Sequence, residues 1–203
     1  MKFLKVAIEV LSPLHLGSAK ADVVIDAEAI HDQYGMPYFP AKRLKGLLYE
    51  SALEMAEFGA QLPEEEKWFT EDEVKKLFGA KYSFEAGFSM DNFTFNDYDV
   101  KCRDWCYLKT KYPNLFGREE VWQTYTKVRY STALDENGIV VNSSLRNMRV
   151  VDKGCTFYGE ILLKEDSEIN IKIINYALLN LRYVGTKRNR GLGEVKCYVI
   201  EEE

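Results

Sequence analysis

A loop with several carboxylates carries the residues best suited to chemistry. The Ala21–Asp32 stretch holds Asp26, Glu28 and Asp32, with His31 beside the last of them. Carboxylate oxygens are ligands for Mg²⁺ or Mn²⁺, and a positioned carboxylate or imidazole can act in acid–base catalysis. An aspartate on a loop more commonly caps a turn. The loop is therefore a candidate site whose chemistry depends on what the fold places beside it.

Basic residues occur in clusters, although the whole chain is acidic. The formal net charge is −5 over 203 residues, which disfavours a free-standing nucleic-acid binder. A basic cluster at the start of a helix can still hold a phosphate, because the helix dipole and the first N–H groups favour an anion there. Solvated surface is the ordinary alternative. The candidate phosphate-binding side chains are Lys42, Arg43 and Lys45; Lys127, Arg129, Arg146 and Arg149; and Lys187, Arg188 and Arg190.

The last of these clusters lies in a loop that contains Gly185, Gly191 and Gly193. Glycines let the backbone approach a polyanion closely and adopt positive φ angles. The loop is not a P-loop, because it lacks the G-x-x-x-x-G-K-[ST] pattern, and it is not a Rossmann turn, because it precedes a strand. A tight turn with solvated cations is the alternative interpretation.

Histidine and cysteine offer weaker signals. His15 follows the first predicted strand and could act in acid–base catalysis, although a histidine packed in a turn is commoner. The cysteines are too few and too scattered for a disulfide scaffold, and they lack the paired C-x₂-C spacing typical of zinc sites. We therefore predict neither disulfides nor zinc. The four cysteines are Cys102, Cys106, Cys155 and Cys197.

Length and composition indicate a single folded domain. A chain of 203 residues with 46% hydrophobic content can bury a core of its own. No apolar run is long enough for a membrane span, and the N-terminal stretch alternates charged and apolar residues, unlike a secretory signal. We therefore expect a reduced, cytoplasmic domain over residues 1–203 with no membrane association, and insertions at about 59–82 and 97–149.

Hydrophobic periodicity predicts the elements that position these residues. Thr70 and Glu73 form a capping-box pattern, and the dipeptide Asn137-Gly138 favours a hairpin turn, whereas residues 97–122 show no clear period. The predicted strands are Phe3–Leu11, Phe84–Phe95, Thr156–Leu163 and Glu194–Ile200; the predicted helices are Ala41–Phe58, Glu71–Phe78 and a helix capped by Ser167 that ends near Tyr183; and the predicted hairpin is Lys127–Arg149 with its turn at Asp135–Gly138.

The core elements follow the order βαββαβ. This order predicts an α+β fold of the ferredoxin-like, RRM-like class, in which a split βαβ arrangement forms the core. The short helix is an inserted segment. The glycine-rich loop joins the second core helix to the last strand.

Three motifs together resemble the RAMP superfamily of CRISPR RNA-binding proteins. They are SPLHLGS at Ser12–Ser18, the Pro37–Leu48 stretch that leads into the first helix, and RNRGLG at Arg188–Gly193. Within that superfamily, Ile25–Tyr38 is similar to a loop of the repeated backbone subunit of type III effector complexes. In that subunit an aspartate cuts the target RNA.

The resemblance implies a role for the acidic loop. Asp26 falls where the cutting aspartate falls, and it would bind Mg²⁺ or Mn²⁺ or else act as a general base. We favour the metal role. Asp32 matches a second acidic position, and His31 is a further auxiliary candidate. The implied enzyme is a metal-dependent endoribonuclease within the assembled complex.

The resemblance also implies an RNA path and partners. The hairpin over 127–149 is similar to the family's thumb, which wedges into the duplex of guide and target. Guide RNA would lie along Lys42, Arg43, Lys45 and the glycine-rich loop, and complementary target RNA would cross the Asp26 loop. Other CRISPR effector subunits, including neighbouring RAMP subunits in a filament, would be the protein partners.

The chain departs from the family's pattern at three places. Ala27-Glu28 replaces a small residue and proline, Lys42-Arg43 replaces Gly-Ser, and Tyr49-Glu50 stands where an arginine is common. Two alternatives therefore stay open. One is a non-catalytic structural RNA-binding subunit of the same complex. The other is an endoribonuclease that processes precursor guide RNA with His15 or His31 and without metal.

Overall fold

The structure, a computed structural model, contains the predicted βαββαβ order together with additional helices. It describes residues 1–18, 25–62, 68–79 and 85–202. A turn of 3-10 helix, Arg188–Arg190, precedes the last strand. In chain order the elements are β1 (Lys2–Val10), α1 (Ala41–Ala60), α2 (Glu71–Phe78), β2 (Phe88–Met90), β3 (Thr94–Phe95), α3 (Tyr98–Lys111), α4 (Arg118–Tyr125), β4 (Thr126–Ser131), β5 (Arg146–Val151), β6 (Thr156–Leu163), α5 (Glu168–Asn180) and β7 (Val195–Glu202).

Strand β1 is central in the main sheet. It pairs antiparallel with β6 on one side and with β7 on the other, and β2 and β3 pair with the far edge of β6. The strand order is therefore β2-β6-β1-β7. Leu4, Val6 and Ile8 alternate along β1 and are fully buried, as the period of a strand with one face on a core requires.

Helices α1 and α5 contact each other and complete this core. Leu44 and Leu48 of α1 and Ile174 and Ala177 of α5 belong to the same buried cluster as the inward side chains of β1. These helical residues recur at the spacing predicted for one apolar face. The predicted α+β, ferredoxin-like core is confirmed. Among the described residues, the helices are all too short or too polar to cross a membrane.

Local signals placed the boundaries of α2 well and those of α5 less well. The Thr70 hydroxyl accepts the N–H of Glu73, and the Glu73 carboxylate accepts the N–H of Thr70 at 2.7 Å, so the predicted capping box is present. Ser167 precedes α5, but its side chain caps none of the described N–H groups. The helix ends at Asn180 and not near Tyr183, because Tyr183 turns extended and pairs with Glu194.

The predicted strand Phe84–Phe95 is wrong as one continuous element. Phe84 lies outside the described residues, and the rest forms the two short strands β2 and β3. Between them the backbone of Phe93 leaves the sheet and exchanges hydrogen bonds of 2.8 and 2.9 Å with Phe39. Phe93 is fully buried there. Tertiary packing at the start of α1 therefore interrupts the strand.

The region without a clear period, residues 97–122, forms most of two helices, α3 and α4. None of the α3 residues is fully buried, which explains why a core-facing stripe was not evident in the sequence. The hairpin that follows is confirmed, with Thr126 opposite Val151 and Ser131 opposite Arg146. Its turn is closed by Asp135, whose carbonyl accepts the N–H of Gly138 at 3.0 Å.

Two glycines that precede β7 should differ sharply in their tolerance of a side chain. Gly191 and Gly193 both have positive φ, but a Cβ on Gly193 would lie 2.0 Å from the Val184 carbonyl oxygen, whereas one on Gly191 meets nothing within 4 Å. Gly191→Ala should cost about 1–2 kcal/mol of the free energy of unfolding, and Gly193→Ala roughly 4 kcal/mol or more. Denaturant titration of both variants measures this, and equal losses would contradict it.

Candidate nucleic-acid interface

The loop that carries Asp26 pairs through its backbone with strand β5 of the hairpin. Ala27 forms a parallel bridge with Met148 of β5, and the Arg149 N–H donates to the Ala27 carbonyl at 3.0 Å. On its other side the loop is bound by the Ser12–Ser18 turn, since the Ile30 N–H donates to the Leu16 carbonyl at 2.7 Å. The loop is thereby held at the base of the hairpin. The first part of the predicted loop, residues 21–24, lies outside the described residues.

Asp26 is an exposed carboxylate with a defined orientation. Its N–H donates to the Asn147 side-chain oxygen at 2.7 Å, and the Asn147 N–H donates to Asp26 Oδ2 at 2.9 Å. The other oxygen, Oδ1, accepts no hydrogen bond from the part of the chain that the structure describes. Asp26 therefore presents one fixed and one available carboxylate oxygen to solvent.

Asp32 has a structural role in this arrangement. Its Oδ1 accepts the N–H groups of Tyr34 at 2.8 Å and Met36 at 3.0 Å, which forms the turn after the loop. Its Oδ2 accepts the Tyr98 hydroxyl at 2.5 Å. Burial, and then this hydrogen bond to Asp32, raise the pKa of Tyr98 well above its usual range. The structure thus commits both oxygens of Asp32 to the loop and α3.

Both histidines are held in place by neighbouring groups. The His15 ring is buried, and its Nδ1 donates to the Arg149 carbonyl at 2.7 Å. The His31 Nδ1 donates to the Ala29 carbonyl at 3.0 Å, its Nε2 contacts the Arg118 guanidinium, and its ring lies 3.9 Å from that of Trp122. These contacts favour a packing role for both rings.

Arg149 is part of the interior, unlike the other hairpin cations. Its Nε donates to Glu28 Oε1 at 2.9 Å, the two side chains are 14% and 4% exposed, and the guanidinium lies 4.3 Å from the Trp122 ring centre. This arrangement differs from the surface RNA contact predicted for Arg149. Glu28 is distant in sequence, so no local pattern indicated the pair. Lys127, by contrast, is 74% exposed and pairs with Asp152 at 3.0 Å.

The exposed hairpin cations lie on the same side as the glycine-rich loop. Arg129 is directly opposite Met148 in the ladder, and residues opposite each other share a face. Arg146, two residues from Met148, shares that face because strand side chains alternate. Leu192 of the glycine-rich loop packs against Met148 in a small buried cluster. The fold therefore brings together two predicted sites that are far apart in sequence, the hairpin cations and the glycine-rich loop.

The glycine-rich loop and α1 border two adjoining grooves. One has a volume of about 930 Å³ and the other of about 380 Å³, and Gly185 and Thr186 line both of them. The first groove is also lined by Lys187, Arg188 and Arg190, and the second by His15, Gly17, Lys42, Arg43 and Gly46.

At the start of α1, an anion would meet side-chain charges more than free backbone N–H groups. The Ala41 N–H donates to the Asn92 side-chain oxygen at 2.9 Å, and the N–H groups of Arg43 and Leu44 donate to the Pro40 carbonyl at 3.0 Å. Two of the predicted anion-binding donors, the N–H groups of Ala41 and Arg43, are therefore already used, and the Leu44 bond is an ordinary helical one. The Arg43 guanidinium donates to the Gly17 carbonyl at 2.6 Å, on the wall of the second groove.

Lys45 does not join this cluster. Its ammonium lies 5.3 Å from the centre of the Phe88 ring, beside the sheet. Burial, and then the charge of Lys164, lower the pKa of Lys45 below its usual value. The helical spacing that places Lys42 and Arg43 at the groove turns Lys45 to another face.

The distal part of the hairpin is apolar and exposed, a feature that the positions of the cations did not predict. Its large hydrophobic side chains are exposed to solvent, and few charged residues lie among them. Exposed apolar patches of this kind mark interaction sites more often than ordinary surface. The exposed residues are Tyr130, Leu134, Ile139, Val140, Val141 and Leu145.

The fold and these motifs define a member of the RAMP superfamily. The family model matches residues 7–196, and the chain belongs to that superfamily. No curated protein sequence matches the chain.

Solved structures show the same fold. A chain of the type III-B Cmr-beta bound to cognate target RNA, solved by cryo-EM, has a TM-score of 0.68 and 17% identity, covering 97% of this chain and 96% of that one. A chain of the apo state of the type III-B Cmr-beta has a TM-score of 0.66 and 16% identity, covering 98% and 97%. At such identities the likeness establishes shared architecture.

The Glu28–Arg149 pair should dominate the stability of this site. Glu28→Ala leaves a buried guanidinium without its counter-ion, so we expect a loss of about 3–5 kcal/mol in the free energy of unfolding. Lys127→Ala, which breaks the exposed pair with Asp152, should change it by about 0–1 kcal/mol. Denaturant unfolding of the two variants tests the contrast. A loss for Glu28→Ala as small as that for Lys127→Ala would disprove the assignment.

Proposed function

We propose that this protein is a guide-RNA-binding backbone subunit of a type III CRISPR effector complex, and that Asp26 cuts the complementary target RNA. The observation that carries the proposal is the position of Asp26, an exposed and oriented carboxylate at the base of the hairpin, on the loop that the hairpin pairs with. Membership of the RAMP superfamily supports it. So does the likeness to a type III-B Cmr-beta chain whose structure was solved with cognate target RNA.

Guide RNA would follow the two grooves. Lys187, Arg188 and Arg190 provide charges for phosphates at one groove, and Lys42 and Arg43 at the other. The strand would pass over Gly185 and Thr186, which line both grooves. Phosphate contacts of this kind position RNA without reading its sequence.

Target RNA would meet the hairpin. Arg129 and Arg146 lie on the face shared with the glycine-rich loop, and the apolar distal residues provide surfaces that can pack against unstacked bases. A wedge of this kind would distort the duplex of guide and target beside Asp26. Distortion matters because a ribose 2′-hydroxyl must line up with its own phosphate before it can attack.

The residues fit a divalent metal held by a single carboxylate. Within the described ranges, no group of three or more His, Cys, Asp or Glu residues comes together as a metal cage. Asp26 Oδ1 is available, and Mg²⁺ is commonly bound by one or two carboxylates with substrate phosphates and water completing the shell. Asp26 would hold Mg²⁺ or Mn²⁺, which when bound would offset negative charge on the phosphate.

The reaction would be a transesterification within the target strand. The ribose 2′-oxygen bonds to the adjacent phosphorus, and the bond from phosphorus to the 5′-oxygen breaks. Water accepts the proton of the 2′-hydroxyl and donates a proton to the leaving 5′-oxygen. Asp26 orients the phosphate, and Asn147 orients Asp26. The hairpin and the grooves position the RNA for this reaction.

A non-catalytic RNA-binding subunit is the second candidate. The observation that favours it is that Asp32 and Glu28 are committed to internal contacts, which leaves Asp26 as the one carboxylate of the described loop open to RNA. Processing of precursor guide RNA is less well supported. His15 is buried and His31 is packed against Trp122, so neither is free to approach a ribose.

Asp26→Asn should abolish cleavage and preserve binding. In the assembled complex we expect metal-dependent cuts in a labelled target RNA, removed by EDTA and slowed by the variant on the order of 100-fold or more, since Asn cannot replace the charged ligand. Asp166→Asn, an exposed aspartate elsewhere, is the matched control and should cleave normally. An intact target RNA that wild-type complex binds tightly would establish the non-catalytic subunit instead.

The glycine-rich loop should account for a measurable share of guide binding. Replacing Arg188 and Arg190 with Ala should weaken guide RNA binding and reduce the slope of log K against log salt by about 0.7 for each lost phosphate contact. Lys45→Ala should leave both quantities unchanged, because Lys45 packs on Phe88. Filter-binding titrations at several salt concentrations measure the slopes. Equal effects of the loop and Lys45 variants would refute the proposed path.

A further inference from the structure

We infer that Asn147 is the residue that positions Asp26, so that the RNA-binding hairpin itself sets the geometry of the cutting carboxylate. The inference rests on the proposed function and adds a residue to it. Asn147 lies in β5, directly opposite Tyr130 of β4. It is therefore part of the hairpin ladder and not of the loop that carries Asp26.

The contact between the two residues is reciprocal. Asp26 N–H donates to the Asn147 amide oxygen at 2.7 Å, and Asn147 N–H donates to Asp26 Oδ2 at 2.9 Å. The first bond holds the backbone of Asp26, and the second holds its carboxylate. The first bond uses the Asn147 side-chain oxygen, and the second uses its backbone N–H, so a substitution at this position removes the bond that fixes the Asp26 backbone beneath its carboxylate.

No neighbour in the described loop could do this in place of Asn147. Ala27 binds β5 through its backbone, and its methyl group cannot orient a carboxylate. Glu28 turns inward to Arg149. Asp26 itself is exposed, and an exposed side chain without partners samples several rotamers. The Asn147 contact therefore selects the orientation that leaves Oδ1 facing outward.

The position of Asn147 links RNA contact by the hairpin to cleavage by Asp26. Arg146 beside it is exposed on the face shared with the glycine-rich loop, and Tyr130 across the ladder is exposed on the other face. A shift of the hairpin on RNA would move Asn147 with it, and the carboxylate with Asn147. The point of cleavage would then keep a fixed relation to the point where the hairpin meets the duplex.

The test uses the assembled complex with Asn147→Ala and Asn147→Leu. Both variants remove the side-chain acceptor, and Leu retains the branched shape of the Asn side chain. Asn114→Ala, at an exposed asparagine in the turn between α3 and α4, outside the proposed RNA path, is the matched control. Three quantities are measured: the single-turnover rate on labelled target RNA, the Kd for that RNA, and hydrogen–deuterium exchange of the peptide that contains Asp26.

We expect both Asn147 variants to cleave more slowly by a factor on the order of 10 to 100, because small displacements of a catalytic group have effects of this size. The Kd should be unchanged, and exchange at Asp26 should be faster, because its N–H has lost its acceptor. A purely structural role would instead weaken RNA binding together with the rate. The Asn114 variant should match wild type in all three measurements.

Normal cleavage by either Asn147 variant, in a complex where Asp26→Asn is inactive, would overturn the positioning role and leave the proposed function intact. Unchanged exchange at Asp26 in both variants would also overturn it. Normal cleavage by Asp26→Asn itself would overturn the proposed function and this inference together.

Discussion

The geometry of the site depends on the buried ion pair between Glu28 and Arg149. A carboxylate and a guanidinium that are each almost fully withdrawn from water are tolerated only when they meet, because either one alone is strongly destabilising. The ion pair therefore holds the loop against β5. Arg149 also binds Ala27 and His15 through its backbone, and Trp122 covers its guanidinium. One residue thus joins the loop, the hairpin, the Ser12–Ser18 turn and α4.

The charge of the interface is local. The chain as a whole carries a formal charge of −5, yet the exposed cations gather along two grooves and one hairpin face. At physiological salt, exposed charges are screened beyond about 8 Å, so an anionic strand in the grooves would respond to the nearby cations and not to the acidic body. The apolar end of the hairpin adds an exposed hydrophobic surface of the kind that marks interaction sites.

Local chemistry was well predicted from sequence where neighbours along the chain supply both partners. The capping box of Thr70 and Glu73 and the turn at Asp135–Gly138 are examples, since each forms within a few residues. Prediction failed where a distant residue intervenes. The strand around Phe93 is broken by its pairing with Phe39, and α3 lacks the buried stripe from which a helix is usually recognised.

The sequence by itself determined the ferredoxin-like order, the glycine-rich loop and the candidacy of Asp26, because periodicity, turn chemistry and residue type are all local properties. Only the tertiary structure decided which cations face a groove. Arg149 and Lys45 carry the same charge as Arg188 and Lys42, but the first is paired with Glu28 and the second lies over Phe88. Burial and partnership are set by residues distant in the chain, and these contacts separate a structural charge from one that is available to RNA.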